Sequence, residues 1–302
     1  MKTTVIIPSY NRPEFLQEAI KSVWAQTCLP DEIIIGDDSN NDDTERLVNE
    51  TLIEKSPVPI KYFHHKPALK QTKNVDFLMM EASFDFLLLL HDDDLLMPNC
   101  IELLKEPLIK HPKVVASFGN QYLIKEDGSI IKDSDKHLNE KYYRTPNRAG
   151  FVNGQWAASV QMLPNNAFLM RTKEAQQIRY YDEGRAGDAV DFYFGFRLGK
   201  DRLFFWVNEV TSKYRVGQPS ITGSGSVEFM SCIVKILFED LPPKKLKSLA
   251  INKKIRDLMN PAISEVIRGG DKKTAIKWIF SSYYNVLTFR GFKRLLMIIN
   301  PF

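Results

Sequence analysis

The chain has 302 residues, of which 44% are hydrophobic and 26% charged, and it carries a formal net charge of +4. That length and balance suit one large domain, or a domain with an appendage, and exclude a disordered or fibrous chain. No apolar run approaches the ~18 residues a membrane-spanning helix needs, and the apolar stretch within Met1–Pro8 is too short for a signal peptide.

In chain order, Thr3–Pro8 reads as a buried strand. Asn11 is placed to cap a helix that Pro13 opens, with Leu16, Ile20, Val23 and Trp24 on one face. Glu32–Gly36 is a second strand, and Asp42–Asp43–Thr44 caps a helix to about Leu52. Pro59–Phe63 is a third strand, residues 68–82 a helix and 84–90 a fourth strand. Pro98 starts a helix that runs to His111, with Pro107 inside it, and Val114–Phe118 begins a fifth strand. Strands alternating with helices of this length predict a parallel α/β sheet. Beyond it, Lys125–Ser129 reads as a hairpin turn, 132–150 as loop, Asn165–Met170 as strand, 186–199 as helix and 203–210 as a further apolar stretch. The remainder is helical, with breaks expected at Leu241–Pro243, Asn260–Pro261 and Gly269–Gly270.

Ligands of such sheets bind beyond the carboxyl ends of the strands. Three polar clusters fall there: Pro8–Arg12, Asp37–Asp38 and His91–Asp94. The last follows the apolar run Phe86–Leu90, and three adjacent acids at a buried strand end call for a hard divalent cation, Mg²⁺ or Mn²⁺, with phosphate as its outside ligand. Without such a partner they would be a solvated acidic turn. Tyr10 can stack on a base, Arg12 can reach phosphate, and a carboxylate such as Asp38 can accept from a base or ribose. Asp42 and Thr44 are accounted for by helix capping.

Together these residues resemble the family 2 glycosyltransferases. The first element, Pro8-Ser-Tyr10-Asn-Arg12, is present in full. In the second, Asp37-Asp38-Ser39-Asn40 precedes Asp42 and Thr44 at the usual spacing, with Ser39 and Asn40 where Gly and Ser are common. In the third, two registers are open: His91 stands at the first acid position, or Asp92-Asp93-Asp94 is itself the D-x-D. Lys73-Asn74 matches a basic-Asn pair before that strand. The resemblance covers about residues 1–217. It implies a GT-A fold, an α/β Rossmann-like mixed sheet, over 1–222, with a basic, mainly helical region over 223–302. It implies Asp94 and Asp92 as metal ligands and Pro8, Tyr10, Arg12, Asp38, Lys73, Asp92 and Asp93 as donor-binding residues.

Counting back from Arg197-Leu198 sets Asp191 at the family's catalytic base, with Asp188, which can also serve as a helix cap, as the competitor. The usual Glu before the base is replaced by Val190. Tyr214-Arg215-Val216 and Ser220-Ile221-Thr222 resemble the closing segment, where Gly217-Gln218 replaces a common His; Arg215 or Gln218 is the alternative contact. Trp156 offers a stacking surface for an acceptor sugar, although a core role is the more common one for a tryptophan. His64, His65 and His111 lack metal-ligand spacing and read as structural. The implied activity is metal-dependent, inverting transfer of a sugar from a nucleotide donor, a UDP-sugar, to a glycan hydroxyl in surface polysaccharide synthesis. Two rivals are a sugar nucleotidyltransferase, disfavoured because Pro8–Arg12 lacks glycine, and a non-catalytic nucleotide-sugar-binding scaffold.

Residues 227–302 hold ten lysines and four arginines against six acids, a net +8 that leaves −4 on residues 1–226. Phe289–Ile299 has the composition of an interfacial helix, so the tail reads either as a peripheral membrane contact or as an appendage that packs on the domain or joins an oligomer. No nucleic-acid module motif is present. Cys28, Cys100 and Cys232 lie far apart without C-x-x-C spacing, which argues against disulfides or a zinc site and fits the cytoplasm or the inner membrane face.

Overall fold

A computed structural model describes residues 1–217 and 228–299. The chain divides into two compact units: residues 1–181 with 194–218, and residues 182–193 with 219–302. The boundary expected at 222/223 lies outside the described residues. The stretch 182–193, read from sequence as part of the catalytic portion, groups with the second unit.

The first unit is built on one sheet. Its strands are β1 (Thr3–Ser9), β2 (Glu32–Asp37), β3 (Ile60–His64), β4 (Phe86–Leu89), β5 (Leu95–Leu96), β6 (Val114–Ile124), β7 (Gly150–Asn153), β8 (Phe168–Arg171) and β9 (Leu203–Arg215). The order is β3-β2-β1-β4-β8-β6-β9-β5, with β7 also paired to β9. β3, β2, β1 and β4 run parallel, while β8 is antiparallel to both β4 and β6. The sheet is therefore mixed: β8 runs against its two neighbours, while β6 keeps the direction of the first four strands and pairs parallel with β9. β1, β2 and β4 are buried along their full length, which is why they read as continuous apolar runs rather than as alternation. The helices Pro13–Trp24 and Cys100–Lys110 bury Leu16, Ile20, Val23, Ile101, Leu104 and Leu108 in the same core.

Other expectations need correction. Residues 132–150 are not all loop: Ser134–Lys141 is a helix. The strand that begins at Val114 runs to Ile124, and the apolar stretch 203–210 belongs to the longer β9, so Tyr214 and Arg215 lie on a strand. The helix Leu249–Arg268 passes through Pro261 without a break. A proline there costs one backbone hydrogen bond, and the buried side chains Leu258, Met259, Ala262, Ile263 and Val266 on either side hold the helix together.

Two glycines permit a close approach in this unit. A Cβ on Gly199 would meet the Gly154 carbonyl carbon at 2.3 Å, and one on Gly154 would meet the Gly199 Cα at 2.7 Å. This contact seats the short helix Gly154–Ser159, which carries Trp156, and the Asn153 side chain caps it by accepting the Trp156 N–H.

In the second unit, Phe229–Asp240 and Leu249–Arg268 share a core of Ile233, Leu237, Ile255, Met259 and Ile263. Glu265, itself buried, accepts the N–H groups of Met230 and Ser231 at 3.3 and 2.7 Å. A carboxylate is thus placed on the free donors at the start of the neighbouring helix.

Candidate active site

Parallel pairing of β1, β2 and β4 brings the loops after them to one edge of the sheet. The loop after β1 is the hub. Asn11 adopts a left-handed backbone, φ 53°, and does not cap the following helix; Arg12 occupies that position. Instead the Asn11 N–H donates to Ser39 Oγ at 2.8 Å, and Asn11 Oδ1 accepts the Asn40 N–H at 3.1 Å. The same loop reaches the acid cluster. The Tyr10 N–H donates to Asp92 Oδ2 at 3.2 Å, and Arg12 Nη1 lies 2.7 Å from Asp93 Oδ2 and 3.8 Å from Asp92 Oδ1. Pro8 is buried within β1, in register with Gly36 of β2, and Tyr10 is 55% exposed.

In the loop after β2, Asp37 accepts the Ser39 N–H and the Tyr62 hydroxyl, and Asp38 accepts the Leu69 N–H at 2.9 Å. Asn74 donates to the Gly36 carbonyl at 2.8 Å, fixing the helix Gln71–Glu81 to the end of β2. A Cβ on Gly36 would meet the Asn74 Oδ1 at 2.1 Å, so a larger residue there would push the Asn74 side chain out of this position. Lys73, next to Asn74, is exposed, with its ammonium 5.3 Å from the Tyr181 ring centre.

Asp42, read as a helix cap, makes no capping bond and pairs with Lys66 at 2.9 Å. His64, read from sequence as structural, joins this group: Nδ1 lies 2.9 Å from Glu45 Oε2 and Nε2 3.0 Å from the Ser39 carbonyl. Both partners are acceptors, an arrangement that favours the doubly protonated ring. Burial opposes that charge, but the Glu45 bond and the Ser39 carbonyl hold its pKa above the ordinary histidine value. With Lys66 also engaging Glu45, the cluster is an ion-pair network bracing the second loop.

The acid loop itself is held from β9. β5 pairs antiparallel with β9, which sets Arg215 beside Asp94. The Arg215 N–H donates to Asp94 Oδ1 at 2.7 Å, and its Nε donates to the Asp93 carbonyl at 2.9 Å. Its other nitrogens bond the Lys125 and Glu126 carbonyls and Glu18 Oε2, and Phe15 lies under the guanidinium. Arg215 therefore positions the acid loop and is fully committed within the protein. The alternative contact, Gln218, and the segment Ser220–Thr222 lie outside the described residues.

His91, Asp93 and Asp94 can each present one ligand atom, all within 4.8 Å of one another. Asp94 Oδ2 and His91 Nε2 are buried and lack hydrogen-bond partners. Unpaired buried acceptors of this kind cost free energy unless something binds them, and a mixed carboxylate and imidazole set fits a divalent cation. Asp92, expected with Asp94 as a ligand, is outside this group and faces Tyr10 and Arg12. Burial, and then the charges of Asp93 and Asp92, push the Asp94 carboxyl well above the usual range. Burial and Asp93 raise Asp92 to about 7, against the pull of Arg12 and the Tyr10 N–H.

Both groups bind a proton more tightly in the folded than in the unfolded chain. For the metal-free protein the Asp92 contribution to stability is full below the ordinary value of 3.8 and is lost as pH rises through about 7, and the raised Asp94 carboxyl acts in the same direction. A bound cation reverses this. Thermal unfolding is therefore expected to show a larger Mn²⁺-induced rise in Tm at about pH 8 than at about pH 5. Asp94→Asn is expected to remove most of that rise; an equal Mn²⁺ effect at both pH values, or one that survives the substitution, would contradict the site.

Asp191 lies in the first turn of the helix Val190–Leu198, where a negative charge is favoured. The rest of that helix is almost wholly apolar, with Phe192, Tyr193, Phe194, Phe196 and Leu198 buried. Asp188 is exposed, two residues ahead of the helix. Trp156 is half-buried, with the Arg148 guanidinium 4.9 Å from its ring centre and Tyr143 edge-on at 6.3 Å.

Residues 4–171 match the family model described as Glycosyl transferase family 2. The chain belongs to this family. Among curated relatives, the GalNAc(5)-diNAcBac-PP-undecaprenol beta-1,3-glucosyltransferase of Campylobacter jejuni is 34% identical over 135 residues, 44% of this chain and 41% of that protein. An uncharacterized glycosyltransferase of Rickettsia conorii is 35% identical over 134 residues, 43% of this chain and 21% of its own length. This family member thus spans less than half of either. Glycosyltransferase GlyG of Streptococcus pneumoniae is 26% identical over 225 residues, 72% of each chain. Among solved structures, S. aureus TarS 1-349 superposes with a TM-score of 0.63 at 15% identity, covering 99% of this chain and 81% of that one. TarS has also been solved in complex with UDP and with UDP-GlcNAc, each with a TM-score of 0.62 to this chain. The architecture is the GT-A fold with a helical C-terminal part.

Proposed function

We propose that this family 2 member is a metal-dependent, inverting glycosyltransferase that moves a hexosyl or N-acetylhexosaminyl group from a UDP-sugar to a hydroxyl of a lipid-linked glycan. It would work at the inner membrane face in surface-polysaccharide synthesis. The observation that carries this reading is the pair of unpartnered buried atoms, Asp94 Oδ2 and His91 Nε2, at the strand edge that also carries Tyr10, Arg12 and Asp38. The UDP-bound TarS structures and the lipid-linked substrate in the name of the Campylobacter relative support the donor and acceptor classes.

Asp94, with His91 and Asp93, would hold Mn²⁺ or Mg²⁺, and such an ion supplies Lewis-acid neutralisation of the diphosphate. Tyr10 stacks on the uracil, Asp38 accepts from the base or ribose, Asp92 faces the ribose, and Arg12 and Lys73 meet phosphate charge. Trp156 borders the acceptor. Asp191 accepts the proton of the acceptor hydroxyl as that oxygen bonds to the anomeric carbon. The bond from that carbon to the phosphate oxygen breaks, its electron pair leaves on UDP, and the configuration inverts.

A panel of nucleotide sugars, assayed with Mn²⁺ and with a chelator, tests this. At least one UDP-sugar is expected to release UDP only in the presence of the metal, and NMR of the glycoside is expected to show an inverted anomeric centre. Tight UDP binding with no turnover of any donor would sink the enzymatic reading in favour of a binding scaffold.

A further inference from the structure

The second unit ends in a stretch with one-sided chemistry. From Lys272 to Ile299 the sequence has four lysines and two arginines and no acid at all. Two helices carry it, Lys272–Ile279 and Phe289–Ile299. The second packs through one side only. Ile298 and Gly291 are buried, and a Cβ on Gly291 would meet the Val286 carbonyl oxygen at 2.4 Å. Arg294 turns inward, donating to Ser264 Oγ at 3.1 Å and to the Tyr284 hydroxyl at 3.2 Å. The opposite side holds Phe289, Phe292, Lys293 and Leu296, spaced i, i+3, i+4, i+7. The two phenylalanines are 86% and 59% exposed, and Leu296 is 50% exposed. The first helix repeats the combination: Lys272, Lys273, Ile276 and Lys277 are exposed on it, and Phe280 follows, 65% exposed.

An exposed aromatic row that carries Lys293, together with a lysine-rich helix whose one adjoining acid is the capping Asp271, matches a surface that is apolar inside and anionic at its rim. We propose that this face docks the protein on an anionic lipid bilayer, with Phe289, Phe292 and Leu296 entering the acyl boundary and Lys272, Lys273, Lys277 and Lys293 meeting lipid phosphates. The inference rests on the reading of a lipid-linked acceptor, whose reacting end must lie near such a surface. The lysine fringe sets charge complementarity to lipid headgroups, whereas an apolar row alone would suit a second copy of the chain.

The test uses the full chain and vesicles of phosphatidylcholine with and without phosphatidylglycerol, and contains no sugar donor. Binding is expected on the anionic vesicles, falling steeply with salt. It is expected to drop at least about tenfold in Phe289→Asp/Phe292→Asp, and again in Lys272→Glu/Lys273→Glu/Lys277→Glu. These side chains are exposed, so circular dichroism and Tm should match the parent, and UDP release from a soluble donor should be unchanged. Equal binding by the parent and both variants, or no binding to anionic vesicles, would overturn the proposal. So would a dimer in solution that the phenylalanine variant abolishes while vesicle binding stays absent. Because vesicle binding and UDP release are read separately, failure of docking leaves the transferase reading standing, and loss of turnover leaves the docking result intact.

Discussion

Asp191→Asn is expected to lower the sugar-transfer rate by about 10²–10⁴-fold while leaving UDP affinity unchanged. The amide keeps the size of the side chain and its place in the first turn of Val190–Leu198, but it cannot take a proton from the acceptor. The expected signature is a fall in kcat with little change in the donor KM, since the lost interaction belongs to the transition state. Calorimetry of UDP with the variant separates this from misfolding. Full activity in Asp191→Asn would remove it from the mechanism, and a matching loss in Asp188→Asn would transfer the role there. Asp188 lies on an exposed turn ahead of the helix, a place less suited to holding a base within about 3 Å of a reacting hydroxyl.

Arg215→Met is expected to destabilise the fold by roughly 3–5 kcal/mol, because it removes every hydrogen bond made by a buried guanidinium and breaks its ion pair with Glu18. The side chain is 1% exposed and ties the Asp93 carbonyl, the Lys125–Glu126 turn and Glu18 together. Urea denaturation measures the loss. In the fraction that folds, Mn²⁺ affinity is expected to fall about 10–100-fold, the usual consequence of removing a group that orients ligands. Arg215→Lys keeps the charge but not the planar set of donors, and should fall between the parent and Met. If both variants bound Mn²⁺ as the parent does, Arg215 would be a stability residue with no bearing on the acid loop.

The strands that bear the site were readable because β1, β2 and β4 are buried on both faces and end abruptly in polar residues. Short, edge-like elements were not. β5 has two residues and β7 four, too few to show any period, and they exist because β9 offers them partners. The same limit applies to side chains. Asp94 was legible from its position after a strand. The tie between Arg215 and Asp94 spans 121 residues, and no local pattern carries such a bond. His64 looked isolated because its acid, Glu45, arrives from a helix 19 residues earlier. Asn11 resembled a helix cap because Asn is common there, but Ser39 and Asn40 offered it better partners across the edge of the sheet.

That last pairing gives the departure at position 39 a meaning. A glycine there would have no hydroxyl for the Asn11 N–H, whereas Ser39 supplies one and also lies 3.3 Å from the Thr44 hydroxyl. With Tyr10 and Arg12 bonded to the acid loop on the other side, the three loops form one stitched mould before any ligand arrives. The conformational entropy of ordering them is lost during folding, not at each encounter with a nucleotide, so more of the contact energy appears as affinity. Such a mould also constrains its own evolution: a change of base preference in the second loop must keep the Ser39 hydroxyl and the Asn40 N–H, or the first loop comes loose with it.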